Sequence, residues 1–133
     1  MEKKWWITGV LLIVLSIILG AMGAHALKEV YKLDVDQLNA FETGVRYQIY
    51  HGIAFLAMPF IYSKLNISGR SVFFLLLFGV MLFSGSIYGL TVANLAHVES
   101  VKKIIGPITP IGGLLMIAGW IICLFQLLKW RND

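Results

Sequence analysis

The chain has 133 residues, of which 59% are hydrophobic and 14% are charged, and its net charge is +4. A soluble domain is about 45–50% apolar and about 25% charged, so both values argue against a soluble protein. Disorder is excluded because it requires low hydrophobicity, and the scattered basic residues argue against a nucleic-acid partner. The composition therefore predicts one small all-helical membrane domain.

Four stretches are predicted to cross the membrane as a compact helical bundle. They cover residues 5–26, 41–63, 71–93 and 107–128. About 20 helical residues span a hydrocarbon core of about 30 Å, and each stretch is long enough. A cleaved signal peptide is the alternative for the first stretch, because Lys3 and Lys4 precede it and Ala24-His25-Ala26 resembles a cleavage site. Its apolar run is longer than a signal peptide requires, so we favour a membrane helix.

The second stretch is the least apolar of the four. Its strongly apolar part is residues 49–62, about 21 Å of helix, which is too short to span. The helix crosses only if it also includes residues 41–48, which contain two charged side chains. We expect it to begin at an Asp34 or Asp36 cap and to extend beyond the bilayer.

The distribution of lysine and arginine predicts that both termini lie in the cytoplasm. The segments on the terminal side carry Lys3, Lys4, Lys64, Arg70, Lys129 and Arg131. The two loops on the other side carry Lys28, Lys32, Lys102 and Lys103, and nearby acidic residues offset them. Trp5, Trp6 and Trp130 are then expected at the cytoplasmic interface of the bilayer.

Polar side chains crowd toward the end of the bundle that lies opposite the termini. The predicted cluster comprises His25, Glu42, Arg46, Tyr47, Gln48, His51, Asn94 and Thr109. Charged groups at membrane depth usually face the protein interior and pair, and Glu42 and Arg46 have the favoured spacing for an ion pair. The cluster either ties the helices together or forms a site for a ligand, such as an anionic lipid, or for a proton.

The histidines and the single cysteine do not predict a metal site. His25 matches Glu42 in depth, so a contact between them is reasonable, whereas His51 lies about 13 Å deeper than Glu42. No zinc-binding spacing of histidines occurs, so neither a metal nor a cofactor is assigned. His51 is either a neutral ring bonded to a hydroxyl or carbonyl group, or a titrating switch. Cys123 is interpreted as a small buried hydrophobic residue.

Small residues are predicted to let the helices pack closely. The candidates are Gly20, Ala24, Gly85, Gly89, Gly112 and Gly113. Pro107 and Pro110 each lack an amide donor and disfavour helix at the preceding residue. We therefore expect the last helix to become regular only at Pro110 or Ile111.

Four motifs resemble those of the YgdD/YwdK-like family of small bacterial inner-membrane proteins of unknown function, to which a eukaryotic transmembrane family is related. They lie at residues 20–27, 41–51, 84–88 and 106–113. The resemblance covers nearly the whole chain. It implies a four-helix protein of the bacterial inner membrane and carries no established activity or catalytic residue.

We expect a multi-pass membrane protein that is not an enzyme, whose polar cluster has a structural, partner-binding or lipid-binding role. Candidate partners are the bilayer itself, an anionic lipid, a second copy of the chain or another membrane protein. The alternative is a component of a transporter or channel for a proton or small solute, which oligomerisation would complete. A third hypothesis is an intramembrane enzyme in which Glu42 and His51 act as base and acid, but no nucleophile triad, metal set or phosphate loop accompanies them.

Overall fold

The computed structural model describes residues 1–130, and the helices there account for nearly all of the chain. They are α1 (Glu2–Met22), a π-helical segment (Gly23–Val30), α2 (Val35–Leu65), α3 (Arg70–Leu95), α4 (Glu99–Ile105) and α5 (Ile108–Lys129). Three continuous stretches are long and apolar enough to cross a membrane: Glu2–Val30, Arg70–Leu95 and Glu99–Lys129. Arg131, one of the basic residues used to predict the topology, lies outside the described residues.

Helix α2 is the longest helix, with 31 residues and a length of about 46 Å. It begins where the sequence predicts, because the Asp34 side chain accepts a hydrogen bond of 2.8 Å from the amide of Gln37. Such a cap satisfies one of the amides that the first turn leaves free. The helix ends at Asn66, which adopts the left-handed conformation with φ of 50°.

Helix α5 begins earlier than the sequence indicated. Regular helix starts at Ile108, so the prediction that it starts at Pro110 or Ile111 is wrong. Pro107 is the N-cap residue and Pro110 is the third residue of the helix. Amides in the first turn have no partner within the helix, so a proline there removes no hydrogen bond.

Each long helix runs antiparallel to the one before it in the chain, so the bundle has two distinct ends. The terminal end carries the start of α1, the 66–69 turn and the end of α5. The loop end carries the π-helical segment, α4 and the turns beside them. Helices α2 and α3 form the central pair, α1 packs mainly on α2, and α5 packs mainly on α3.

Glycines bring the outer helices into backbone contact with the central pair. A Cβ atom on Gly9 of α1 would lie 2.8 Å from the Gly52 carbonyl oxygen of α2. A Cβ on Gly112 of α5 would lie 2.8 Å from the Gly79 carbonyl oxygen of α3 and would also meet the amide of Phe83. Neither contact tolerates a side chain, so these glycines set how closely the helices approach.

Of the six predicted packing residues, Gly112 alone lies against a neighbouring backbone. Gly20, Gly89 and Gly113 have only side-chain neighbours at 3.7, 3.2 and 3.8 Å, and Ala24 is exposed. A Cβ on Gly85 would meet nothing within 4 Å, so this residue packs against no helix among residues 1–130, and packing against a second chain stays a prediction. Gly89, the other glycine of the GxxxG spacing, lies beside Ile105 of α4.

The terminal half of the bundle has an aromatic core. Trp5 is 1% exposed, and its ring lies 5.0 Å from Phe55, 5.9 Å from Tyr62 and 4.9 Å from Phe73, measured between centroids. Trp5 is therefore turned into the bundle and not toward the lipid, whereas Trp6 beside it is exposed. Trp5 also joins α1 to α3, because Phe73 belongs to α3.

Candidate functional site

His51 is buried at the middle of α2 and is hydrogen-bonded through both ring nitrogens. Its Nδ1 lies 2.8 Å from the Tyr47 carbonyl oxygen, and the indole N–H of Trp120 donates to its Nε2 at 3.1 Å. A carbonyl only accepts and an indole N–H only donates, so the ring carries its hydrogen on Nδ1 and is neutral in this arrangement. The carbonyl partner is the kind that the first of the two interpretations expects, and the titrating switch stays a prediction. The Trp120 partner links α2 to α5.

Glu42 and Arg46 form the expected pair, but on the surface of the bundle. The Arg46 Nη2 atom lies 3.3 Å from the Glu42 Oε2 atom, and the two side chains are 55% and 60% exposed. The expectation that this pair faces the protein interior is therefore wrong. Tyr47 and Tyr50 are also exposed, so this part of α2 presents charged and aromatic groups to its surroundings.

Gln48 lies on a different face of α2 and links three helices. It is 5% exposed, and its Nε2 donates to the Leu12 carbonyl oxygen of α1 at 3.0 Å. Its Oε1 accepts a hydrogen bond of 2.9 Å from the Tyr88 hydroxyl of α3. The carbonyl of Leu12 also accepts from Ser16 within α1. Gln48 therefore acts as a structural tie in the interior.

The remaining members of the predicted cluster do not join one site. The Thr109 and Ser86 hydroxyl oxygens lie 2.6 Å apart and connect α5 to α3. His25 is exposed within the π-helical segment, and no ion pair among residues 1–130 joins it to Glu42. Asn94 is half-buried near the end of α3. The cluster is thus divided between an exposed face of α2 and several separate interior contacts.

Sequence reasoning did not predict which partners several other polar groups would have. The Ser84 hydroxyl donates to the Gly44 carbonyl oxygen at 2.7 Å, and the Tyr62 hydroxyl donates to Gln126 at 2.8 Å. Trp120 was also missed. Their partners are 40, 64 and 69 residues away in the chain, so no local pattern reports them. An isolated polar residue in an apolar helix is the one available signal.

A groove runs along the bundle between α1 and α3. Its middle part has a volume of about 470 Å³, and Leu11, Leu15, Met81 and Gly85 are among the residues that line it. A second part of about 450 Å³ continues toward the loop end. Leu19 and Tyr88 line both parts. The walls are apolar, whereas Gln48, Ser84 and Tyr88 bring polar groups to the groove.

No cluster of histidine, cysteine or acidic side chains suited to a metal ion occurs in the part of the chain that the structure describes. Cys123 is buried and free, as the sequence predicts for a small hydrophobic residue. The candidate functional groups therefore lie on two surfaces, namely the exposed face of α2 and the groove between α1 and α3.

An all-helical bundle with three membrane-spanning stretches and an apolar surface defines a multi-pass membrane protein. Residues 19–113 match the model of a family described as Protein of unknown function (DUF423). The chain belongs to this family, as its four motifs predict.

Relatives of the chain occur in bacteria and in a yeast. It is 38% identical to a UPF0382 membrane protein of Staphylococcus saprophyticus, over 96% of this chain and 98% of the relative. It is 34% identical to the UPF0382 membrane protein YwdK of Bacillus subtilis, with the same two coverages. A UPF0382 membrane protein of Schizosaccharomyces pombe is 38% identical over 86% of this chain and 93% of its own. No solved structure matches.

Proposed function

We propose that the protein is a non-enzymatic lipid-binding protein of the bacterial inner membrane, with four spans and both termini in the cytoplasm. In this proposal α2 is the fourth span. The rings of Trp5 and Tyr62 stack at 5.9 Å, so they lie at one depth, which the proposal takes as the cytoplasmic boundary of the hydrocarbon core. Counting about 20 residues back along α2 from Tyr62 reaches Glu42, the length that a hydrocarbon core requires.

This depth places the exposed pair at the outer boundary of the hydrocarbon core. Arg46 then lies about 6 Å inside that boundary, where its long side chain can extend to the headgroups. The exposure of Glu42 and Arg46 is the observation that carries the proposal. A guanidinium group at this level can bind a lipid phosphate through two hydrogen bonds, and Tyr47 and Tyr50 supply the aromatic groups typical of a membrane interface.

The interior contacts favour binding over transport. Every buried polar side-chain atom among residues 1–130 has a hydrogen-bond partner within the protein. Gln48, His51 and Ser84 are bonded to neighbouring helices, and the groove that Gln48 and Ser84 also line has mainly apolar walls. A transporter also requires a site that is reached from both sides in turn.

Native mass spectrometry of the wild type and an Arg46→Gln variant tests the lipid site. The wild type is expected to retain phosphatidylglycerol, and the variant is expected to lose most of it. Lys103→Gln is the matched control, because it removes one exposed positive charge at the same end of the bundle. Glu42→Gln should retain at least as much lipid, since it frees Arg46 from its carboxylate partner. Equal retention by wild type and Arg46→Gln would refute the site.

Cysteine labelling tests the topology. Single cysteines placed at residue 2 and at residue 130 in a Cys123→Ala background should react only after the cells are opened. A cysteine at residue 103 should react with an impermeant reagent on intact cells. Reaction of either terminal cysteine on intact cells would contradict the proposed orientation.

A further inference from the structure

The groove between α1 and α3 has the dimensions of a site for a small molecule. Its two parts, about 470 and 450 Å³, each fall within the range of about 300–1,000 Å³ that ligand sites occupy. The part from Thr8 to Leu19 extends about 16 Å along α1. Gly85 leaves the groove open, because a Cβ there would meet nothing within 4 Å. The groove faces the lipid on one side and Gln48 on the other.

Gln48 brings an unused donor to this groove. One hydrogen of its Nε2 bonds to the Leu12 carbonyl oxygen, and its Oε1 accepts from Tyr88. The second hydrogen of Nε2 has no acceptor among the residues that the structure describes. Gln48 is 95% buried, being 5% exposed, so water from the bulk does not readily serve as that acceptor. An unpaired N–H in an apolar environment is costly, so a bound carbonyl oxygen would be favoured there.

The depth of Gln48 limits what can supply this oxygen. Gln48 lies six residues beyond Glu42 along α2, so this inference rests on the proposed membrane position of α2, which places Gln48 about 9 Å inside the outer boundary of the hydrocarbon core. The ester carbonyls of a phospholipid lie at the interface, too far from this depth. A carboxylate here would be costly because it would be a charge in the hydrocarbon core. A helix of another chain has its backbone carbonyls bonded internally.

We propose that the groove binds a membrane-soluble quinone, a neutral ring with carbonyl groups on a long apolar chain. One quinone carbonyl accepts from the free Nε2 hydrogen of Gln48, and the ring lies beside Tyr88. The apolar chain follows Leu15 and Leu19 toward the loop end. Gln48 and Arg46 are two residues apart, so their side chains leave α2 in directions about 160° apart. This site is therefore independent of the proposed phospholipid site.

Binding of decylubiquinone to the purified full-length protein in detergent tests this inference. The wild type is expected to bind one quinone per chain, detected by native mass spectrometry and by a rise in thermal stability. Gly85→Leu places a side chain in the open groove and should abolish binding. Leu15→Trp narrows the groove from the α1 wall and should do the same. Gln48→Met keeps the length of the side chain but removes the donor, and should weaken binding about tenfold.

Leu114→Phe is the matched control for added bulk, because Leu114 is exposed on α5 and lies away from the groove. This variant should bind quinone as the wild type does. Equal binding by wild type, Gly85→Leu and Leu15→Trp would overturn the proposal. So would a wild type that binds no quinone but retains a phospholipid that Gly85→Leu loses, because the groove would then hold an acyl chain. Loss of quinone with retained phosphatidylglycerol in Gly85→Leu would leave the Arg46 site intact.

Discussion

The two sides of the central α2/α3 pair can be compared. On one side α1 packs on α2 and leaves a groove beside α3, and on the other side α5 packs on α3 and Trp120 reaches across to α2. On each side an outer helix contacts one central helix through glycine, at Gly9 for α1 and Gly112 for α5. Each outer helix reaches the other central helix through a tryptophan. Trp120 does so at mid-depth, whereas Trp5 does so near the terminal end. The groove between α1 and α3 lies at a level where α1 offers no tryptophan, whereas Trp120 lies at the corresponding level between α5 and α2.

The largest expected effect comes from adding a methyl group where α5 packs on α3. Gly112→Ala should lower the free energy of unfolding by about 3 kcal/mol, because its Cβ would meet backbone atoms of Gly79 and Phe83 that cannot move aside. Gly85→Ala is the control on the open side, and it should change stability by less than about 1 kcal/mol, toward greater stability. Reversible unfolding in mixed detergent and SDS micelles measures both. Similar losses for the two variants would contradict the tight backbone contact at Gly112 and the open space at Gly85.

The hydrogen bond between His51 and Trp120 should contribute less. His51→Leu leaves the Trp120 indole N–H without its acceptor and should cost about 2 kcal/mol. Trp120→Phe leaves the His51 Nε2 atom without its donor and should cost a similar amount. Because the two residues share one contact, the double variant should lose less than the sum of the two single losses. Additive losses in the same unfolding assay would show that the contact does not hold α5 against α2.

The smallest effect is expected on the exposed face of α2. Removing Glu42 or Arg46 should cost less than about 1 kcal/mol, since exposed ion pairs contribute about 0.2–1 kcal/mol. A buried ion pair would behave differently, because removing one of its members costs about 3–5 kcal/mol. The variants Glu42→Gln and Arg46→Gln can be compared in the unfolding assay with Lys103→Gln as the baseline. A loss of several kcal/mol in either would mean that the pair is buried in the bilayer-embedded protein.

The sequence predicted features that depend on neighbouring residues. The Asp34 cap depends on an amide three residues away, and the Glu42–Arg46 pair depends on one helical turn. The helical class follows from composition. Whether the pair is buried depends on how α2 is rotated in the bundle, and that rotation is set by Gly52 and Gly44 packing on other helices. The charge pattern alone does not contain this information.

The candidate site was harder to predict because its contacts join distant residues. Gln48 and Gly85 were identified from the sequence, but not as parts of one groove with Tyr88. They were assigned to different roles, Gln48 to a polar cluster and Gly85 to helix packing. Their actual relation depends on the divergence of α1 from α3. The groove is lined by residues of three helices, and no local sequence pattern reports how those helices are spaced.

The neutral ring of His51 has a consequence for proton conduction. Proton hopping requires each group in a chain both to accept and to donate. Trp120 only donates its indole hydrogen, and the Tyr47 carbonyl only accepts, so both neighbours of His51 end the chain. A proton reaches Nε2 only if Trp120 first moves away from the ring. While both hydrogen bonds are in place, His51 therefore does not pass a proton from one neighbour to the other.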